Sequence, residues 1–245
     1  MRPAQGLPHL ALRGASKTYP GNPPIHALDN ADLDIAPGEL VAVVGPSGSG
    51  KTTMLSLMGT LDQPTSGEVW VDGVNTGQLG EAARSRLRSD KIGFVFQQFY
   101  LLPSLTALDN VATGMLYQGI SASRRRALAM EALGLVDLSN RATHRPGELS
   151  GGEQQRVAIA RAMAGGPSIL FADEPTGALD QASGRRVLEA LRQANQTGAT
   201  VVVITHDEHL AEDFDRRVVM LDGRIVADAG PSVAWDASPE ETVVL

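Results

Sequence analysis

The chain has 245 residues, which allows one large domain or two modest ones with a sizeable core. Its 21 Lys and Arg residues against 28 Asp and Glu residues give a formal net charge of −7, which argues against a protein that mainly coats nucleic acid or anionic lipid. The absence of cysteine excludes disulfides, thiolate metal sites and cysteine nucleophiles.

The apolar runs are too short for a membrane span, and the N-terminus does not resemble a signal sequence. No run approaches the ~18–20 apolar residues of a membrane helix. The opening residues MRPAQGLP lack the apolar region of about 7–15 residues that a signal sequence needs. We therefore expect a cytoplasmic protein, with residues 236–241 in a solvated tail.

The first predicted elements are antiparallel strands. Polar and apolar residues alternate around Gly and Pro turns over residues 10–37, and again over residues 67–73, where Val69 and Val71 face one way. These two stretches predict an antiparallel layer beside the main sheet.

Four uniformly apolar runs are typical of strands buried on both faces of a parallel sheet. They are Val41–Val44, Phe94–Phe96, Ile169–Phe171 and Val201–Ile204. A Gly-rich turn and a helix follow the first run; the apolar positions of that helix are Met54, Leu57, Met58 and Leu61. The pattern predicts an α/β fold.

Helix-forming residues dominate the stretch 98–165. One helix is predicted over 124–133, with Ser123 as its N-cap and Gly134 as its end. We therefore expect a helical lobe over about 98–165, inserted into a core.

The predicted organisation is a single domain. Its core would comprise residues of about 8–97 and 166–228, with the helical lobe between them and a short tail over 229–245.

The segment Gly45–Thr52, the phosphate loop, reads GPSGSGKT and matches G-x-x-x-x-G-K-[ST] between a predicted strand and a predicted helix. Its glycines let backbone N–H groups converge on phosphate oxygens, and the helix N-terminus adds positive charge. Lys51 would meet the β and γ phosphates, and the Thr52 hydroxyl would join the Mg²⁺ shell. The alternative is a chance Gly/Ser turn. The residues expected to contact nucleotide are Gly45, Pro46, Ser47, Gly48, Ser49, Gly50, Lys51, Thr52 and Thr53.

Two adjacent carboxylates, Asp173 and Glu174, follow the third apolar run. Because neighbouring residues at a strand end point in different directions, Asp173 can face Mg²⁺ while Glu174 faces water as general base or water-orienting group. The alternative is an acidic strand end in a surface loop.

His206 follows the fourth run, at the sheet edge where open α/β sheets place their ligand crevice. From the residues alone, it can contact the γ phosphate or be a hydrogen-bonded structural histidine.

A second anion-binding geometry is predicted at residues 149–156, LSGGEQQR. Ser150 and Glu153 form a capping box, so Ser150, Gly151 and Gly152 present the open N-terminus of a helix. An ordinary capped helix is the alternative. Since the phosphate loop has its own helix, this second one would bind another anion or the same phosphate from another molecule, which implies a dimer that shares nucleotides.

Three segments in this order and spacing resemble the nucleotide-binding subunit of an ATP-binding cassette (ABC) transporter. They are the phosphate loop, Leu149–Gln155 (the signature segment) and Leu170–Pro175. The resemblance covers roughly residues 8–228. It implies a P-loop NTPase core of the ABC type, with an antiparallel β layer and an inserted helical lobe. It also implies a homodimer in which each ATP lies between one chain's phosphate loop and the other chain's signature segment.

The resemblance assigns roles to further residues. Tyr19 would stack on adenine, Gln97 would reach Mg²⁺ and water, Asp180 would cross the dimer interface, and His206 would contact the γ phosphate. The implied catalytic residues are Glu174, His206 and Lys51, and the implied metal ligands are Thr52, Gln97 and Asp173.

Within the family, the sequence is similar to the bacterial group that serves lipoprotein release, macrolide-type export and cell division. The matching segments are 46–55, 59–62, 64–67, 93–99, 101–103 and 105–107. Large apolar residues over 99–102 would either close the helical lobe or receive a helix of a permease.

The expected function is therefore ATP hydrolysis that drives a separately encoded membrane permease, with the chain held at the inner face of the cell membrane. One alternative is an ATPase of a cell-division complex that transmits force and moves no substrate. The other is a soluble ABC ATPase acting on nucleic acid. The acidic chain, without long coiled-coil insertions or a second cassette, argues against the last, so no nucleic-acid partner is expected.

Overall fold

The computed structural model describes residues 8–229, so almost all of the predicted tail, including 236–241, lies outside the described residues. Over this range, no helix combines the length and the apolar character needed to span a membrane. Ten strands and seven α-helices are described.

Two sheets organise the strands. A four-stranded antiparallel sheet has the order β2-β1-β4-β5, and a six-stranded sheet has the order β10-β9-β3-β8-β7-β6. The strands are β1 (Leu10–Tyr19), β2 (Ile25–Ile35), β3 (Leu40–Val44), β4 (Ser66–Val71), β5 (Val74–Asn75), β6 (Ile92–Val95), β7 (Ile169–Asp173), β8 (Thr200–Thr205), β9 (Arg216–Leu221) and β10 (Arg224–Ala229). The helices are α1 (Lys51–Met58), α2 (Glu81–Lys91), α3 (Ala107–Thr113), α4 (Ala122–Leu135), α5 (Gly151–Met163), α6 (Gln181–Gln196) and α7 (Glu208–Glu212).

The parallel core and the antiparallel layer are both confirmed. Strands β3, β8, β7 and β6 are parallel, and β1 pairs antiparallel with β2 and β4. The structure adds β9, which is parallel to β3, and β10, which is antiparallel to β9. The predicted α/β fold class is therefore correct.

Strands β3, β7 and β8 of the large sheet are buried on both faces, because alternate residues of each strand face opposite cores. Val41 and Val43 of β3 pack with α1 and the antiparallel layer, whereas Ala42 and Val44 pack with α3, α4, α5 and α6. This sandwich explains why β3, β7 and β8 are continuously apolar.

Two helix predictions need correction. Helix α1 ends at Met58, and Leu61 is 48% exposed instead of lying on its apolar face. The chain turns at Gly59, where a Cβ atom would lie 2.6 Å from the Phe94 ring.

Helix α4 begins two residues earlier than predicted. Ser121, not Ser123, is the N-cap, since its side chain accepts a hydrogen bond from the Arg124 N–H. Gly134 does not end the helix, which continues to Leu135; a single helical glycine costs only about 1 kcal/mol.

The capping box of α5 is confirmed. Ser150 Oγ accepts a hydrogen bond from the Glu153 N–H at 3.3 Å, and Glu153 Oε2 accepts one from the Ser150 N–H at 2.8 Å. Helix α5 packs directly on β6, where a Cβ atom on Gly93 would press against the Ala162 carbonyl oxygen. The helix is thereby anchored to the sheet.

Candidate functional site

A tight turn joins β3 to α1 and contains the phosphate loop. A Cβ atom on Gly50 would collide with the carbonyl oxygen of Ala27, and one on Gly45 would collide with that of Met220. Gly50 also has a φ of +96°, which residues with a side chain rarely adopt. Both positions therefore require glycine, because the loop passes closely over β2 and β9.

The ammonium group of Lys51 lies within the phosphate loop. Only 7% of this residue is exposed, and its Nζ donates hydrogen bonds to the carbonyl oxygens of Gly45 at 2.7 Å and Pro46 at 2.8 Å. Burial lowers the pKa of Lys51, and the negative charges of Glu174 and Asp173 oppose that shift. The loop thus combines one cation with the N–H groups of a helix start, an arrangement suited to phosphate.

The other loop residues differ in exposure. Ser47 and Gly48 are exposed at the tip, and Thr53 is half-buried in the first turn of α1. Ser49 is buried, and its hydroxyl has no hydrogen-bond partner among the described residues.

Asp173 and Thr52 face each other across the gap between β7 and α1. The Thr52 hydroxyl donates a hydrogen bond to Asp173 Oδ2 at 3.4 Å. Burial, and then the charge of Glu174, raises the pKa of Asp173. Residues 8–229 contain no group of three or more His, Cys, Asp or Glu that could hold a metal by itself. A hydroxyl beside a carboxylate instead suits Mg²⁺, which takes one or two protein oxygens and completes its shell with phosphate and water.

Glu174 is held between the ends of β7 and β8. Its N–H donates a hydrogen bond to the Ile204 carbonyl oxygen at 2.9 Å, and its φ of +47° is unusual for a residue with a side chain. Glu174 Oε1 lies 2.7 Å from Nδ1 of His206. The parallel register of β7 and β8, with Asp173 opposite Ile204, brings these two side chains together.

Gln97 follows β6 and is exposed. A Cβ atom on Gly177 would lie 3.1 Å from Nε2 of Gln97. Gln97 therefore lies beside the segment that follows Glu174, within the same group of strand ends.

Tyr19 ends β1 and is half-buried. Its hydroxyl donates a hydrogen bond to Asp62 Oδ2 at 3.1 Å, and Nζ of Lys17 lies 5.0 Å from its ring centroid. In the described range, no hydrogen bond joins Tyr19 to the phosphate loop.

The segment Ser150–Gly152 lies against the start of α6. A Cβ atom on Gly151 would lie 3.5 Å from Leu179, and one on Gly152 would lie 2.7 Å from the Ser183 side chain. No hydrogen bond among the described residues links the signature segment to the phosphate loop. The neighbours that the structure gives Gly151 and Gly152 lie near the start of α6 and do not include the phosphate loop.

Asp180 caps α6 and is exposed. Its Oδ1 accepts hydrogen bonds from the N–H groups of Ala182 and Ser183, each at 3.0 Å. These bonds, chiefly that from Ser183, lower the pKa of Asp180.

The structure adds two residues that the sequence analysis did not identify. The Thr205 hydroxyl donates a hydrogen bond to Glu174 Oε2 at 3.4 Å; its place directly before His206 was the available signal. Gln155 lies in the predicted signature segment, but its contacts with the segments after β6 and β7 could not be predicted, because these partners are distant in sequence.

A cavity of about 220 Å³ lies beside these residues. It is lined by Gly45 and Pro46 of the phosphate loop, by His206, by Ala211 of α7, and by residues of β3 and β9 that include Arg217. The strand ends therefore border a concave region of the surface.

A family model described as "ABC transporter" matches residues 28–177. The sequence is 47% identical over 222 residues to an "Uncharacterized ABC transporter ATP-binding protein MJ0796" from Methanocaldococcus jannaschii, covering 88% of this chain and 94% of that protein. A solved dimer of the cassette MJ0796 bound to ADP and Pi is 44% identical, with a TM-score of 0.83 over 92% of this chain and 100% of that chain.

Similarity also extends to larger proteins. The sequence is 47% identical over 224 residues to the "Macrolide export ATP-binding/permease protein MacB 1/2" of Paracoccus denitrificans, covering 91% of this chain. It is 45% identical over 226 residues to MacB of Escherichia coli. The chain spans only about a third of the length of these MacB relatives, 34% and 35% respectively.

Proposed function

The chain belongs to the ABC transporter family, and from that membership we propose that it is an ATP-hydrolysing subunit that dimerises on ATP and drives a separately encoded membrane permease of the export or lipoprotein-release type. The observation that carries the proposal is the Glu174 carboxylate, held beside His206 at the strand ends next to the phosphate loop. The proposed catalytic activity of the chain is the hydrolysis of ATP to ADP and phosphate.

The chemistry follows from the positions of the charged groups. Glu174 orients the attacking water and accepts its proton, while His206 holds that carboxylate and faces the γ phosphate. Lys51 exchanges its hydrogen bonds to two loop carbonyls for phosphate oxygens and offsets the charge that develops on them. Tyr19 stacks on adenine, and the loop N–H groups bind the remaining phosphate oxygens.

Thr52, Asp173 and Gln97 are the residues that would hold Mg²⁺. The adjacent Thr52 hydroxyl and Asp173 carboxylate are oxygen donors of the kind this ion prefers. When bound, Mg²⁺ supplies positive charge to the β and γ phosphate oxygens. Asp173 is thereby assigned to the metal and Glu174 to the water.

Head-to-tail dimerisation places the partner's Ser150, Gly151 and Gly152 on the γ phosphate, and Asp180 at the interface. Within one chain, Gly151 and Gly152 lie against Leu179 and Ser183 near the start of α6, and this placement supports contact with a nucleotide bound by the partner chain. The dimeric form of the solved MJ0796 cassette, which is 44% identical, also supports it.

A membrane partner is proposed because the MacB relatives join ATP-binding and permease functions in one protein, of which this chain covers about a third. We place the chain at the cytoplasmic face of the membrane, held there by the permease. The exposed apolar side chains of Tyr100, Leu102, Leu116 and Tyr117 form the proposed docking surface. The net charge of −7 supports the absence of a nucleic-acid partner.

Complementation between two inactive variants tests the shared site. Lys51→Met removes the phosphate-loop cation, and Gly151→Asp adds a carboxylate to the signature segment, where a Cβ atom is in ordinary contact with Leu179. Mixed together, the two variants form one intact site from two chains. We expect Mg²⁺-dependent phosphate release to return in the mixture but not in either variant alone.

The outcome separates the parts of the proposal. A wild-type chain that releases no phosphate from ATP, alone or with its membrane partner, would contradict hydrolysis. Wild-type hydrolysis without complementation would contradict the shared site alone.

A further inference from the structure

Gln155 on α5 joins the two segments that carry Gln97 and Glu174. It is fully buried, and its Nε2 donates hydrogen bonds to the carbonyl oxygens of Phe96 at 3.2 Å and Pro175 at 2.9 Å. Phe96 directly precedes Gln97, and Pro175 directly follows Glu174. One side-chain amide therefore holds the peptide groups next to both residues.

The side-chain amide of Gln155 is suited to binding two backbone carbonyl groups at once. Both partners are carbonyl oxygens, so both hydrogens of the NH₂ group are used. The Oε1 atom of Gln155 has no hydrogen-bond partner among the described residues. The contribution of Gln155 therefore lies in its two donated bonds.

The bond to Pro175 fixes the backbone at a strained position. Glu174 has a φ of +47°, a conformation that persists only where neighbouring groups hold the chain. Its N–H is held by Ile204, and the Gln155 bond holds the next carbonyl group. Together these two bonds set the direction of the Glu174 side chain.

Helix α5 forms hydrogen bonds with the segment after β6 at a second point. The Arg161 guanidinium donates hydrogen bonds to the carbonyl oxygens of Phe99 at 2.8 Å and Tyr100 at 2.7 Å. The segment from Phe96 to Tyr100 is therefore attached to α5 at both ends, and a shift of α5 would carry Gln97 with it.

We propose that Gln155 is a positioning residue that links the signature segment to the hydrolytic groups of its own chain. The inference rests on the proposed function, in which the start of α5 contacts the nucleotide held by the partner chain. Since Gln155 lies one turn further along the same helix, engagement of that nucleotide aligns Glu174 and Gln97 for the nucleotide held by their own chain. Gln155 thereby couples the two sites of the dimer.

The test is Gln155→Leu, which removes both donated bonds and keeps a similar volume. We expect kcat for ATP hydrolysis to fall by about tenfold to a hundredfold, as misplacement of a reacting group does, while KM and ATP affinity stay unchanged. The matched control is Gln118→Leu. Gln118 likewise donates from Nε2 to a backbone carbonyl, that of Ser89 at 2.8 Å, and has a buried unpaired Oε1. The control should keep wild-type kcat.

A double-mutant cycle with Glu174→Gln separates positioning from general destabilisation. If Gln155 acts through Glu174, Gln155→Leu should reduce the residual rate of the Glu174→Gln chain much less than it reduces the wild-type rate. Equal reductions in both backgrounds, an unchanged kcat, or an equal loss in Gln118→Leu would overturn the inference. Wild-type hydrolysis, measured in the same series, tests the proposed function separately.

Discussion

Nδ1 of His206 lies 2.7 Å from Oε1 of Glu174, at the ends of two adjacent parallel strands. The histidine side chain is 62% exposed, whereas that of Glu174 is 17% exposed. An imidazole that donates from Nδ1 to the carboxylate leaves its Nε2 facing outward. The pair therefore has one polar atom facing solvent and one carboxylate held in place.

Glu174→Gln should bind ATP but hydrolyse it about 10²–10⁴ times more slowly, the usual contribution of a general base. The variant should also accumulate as a dimer with ATP, because the nucleotide that joins the two chains persists. Single-turnover phosphate release and gel filtration with ATP measure the two effects. The exposed Glu189→Gln on α6 is the control, and near-normal turnover in Glu174→Gln would refute the assignment of the base.

His206→Ala should lower kcat more than it lowers ATP affinity. A hydrogen bond to a charged group contributes about 1.5–3 kcal/mol, which corresponds to roughly tenfold to a hundredfold in rate. Phosphate release at saturating ATP and nucleotide titration separate the two quantities. The control is His144→Ala, in the predicted helical lobe, which should leave kcat and ATP affinity unchanged. A loss of affinity without a loss of kcat in His206→Ala would contradict a role in holding Glu174.

The sequence predicts the contiguous features of this molecule well. Strands β3, β7 and β8 are continuous apolar runs, and the phosphate loop is one unbroken segment, so local pattern suffices for both. Strand β9 is not among the predicted strands, although it contains the apolar run Val218–Leu221, because that run follows two charged residues, Arg216 and Arg217. Arg216 forms ion pairs with Glu39 at 2.6 Å and Asp228 at 2.7 Å, partners that no local pattern shows.

The residues of the site divide in the same way, into those predictable from local sequence and those whose contacts depend on distant segments. The identities of Asp173, Glu174 and His206 are predictable from strand ends, but the contact between Glu174 and His206 depends on the β7–β8 register. The bonds of Gln155 depend on how α5 packs across three separate segments. Such contacts are set by tertiary packing and have no signature in the linear order.

Lys51→Met should weaken ATP binding by about tenfold to a hundredfold, since each hydrogen bond from a charged donor contributes about 1.5–3 kcal/mol. The loop carbonyls of Gly45 and Pro46 would also lose their donor. Titration with a fluorescent ATP analogue measures the affinity. Lys91→Met, which removes a cation paired with Asp72 at 2.7 Å, is the control and should retain wild-type affinity. Unchanged ATP affinity in Lys51→Met would show that Lys51 does not contribute to ATP binding.

His9 should make stability depend on pH. It is 7% exposed, with Nδ1 2.7 Å from the Thr200 hydroxyl and Nε2 3.2 Å from that of Ser168. Burial lowers the pKa of His9 below its usual 6.5, although Asp72 opposes the shift. The unfolded chain therefore binds the proton first as pH falls. The contribution of neutral His9 to the stability of the folded chain is fully present above about pH 6.5 and is lost below that pH.

The measurement is the free energy of unfolding of wild type and His9→Gln between pH 7.5 and 5.5. Wild type should lose up to about 1.4 kcal/mol per pH unit more than the variant below pH 6.5. Equal slopes would show that His9 does not titrate differently in the folded and unfolded chains.

The proposed docking surface is formed by Tyr100, Leu102, Leu116 and Tyr117. Tyr117 is 89% exposed, whereas Leu101 is half-buried and packs against the core, so charging Leu101 would also disturb folding. Tyr117→Glu should therefore keep the stability and the ATPase activity of the isolated chain.

In complex with the membrane protein that co-purifies from solubilised membranes, Tyr117→Glu should lose stimulation of ATP hydrolysis in proteoliposomes. A carboxylate on this apolar surface would have to be buried without a partner against the permease, which is costly. Val226→Glu on β10, where Val226 is 50% exposed, is the matched control and should be stimulated like wild type. Full stimulation of Tyr117→Glu, or equal loss in the control, would place the permease contact elsewhere on the chain.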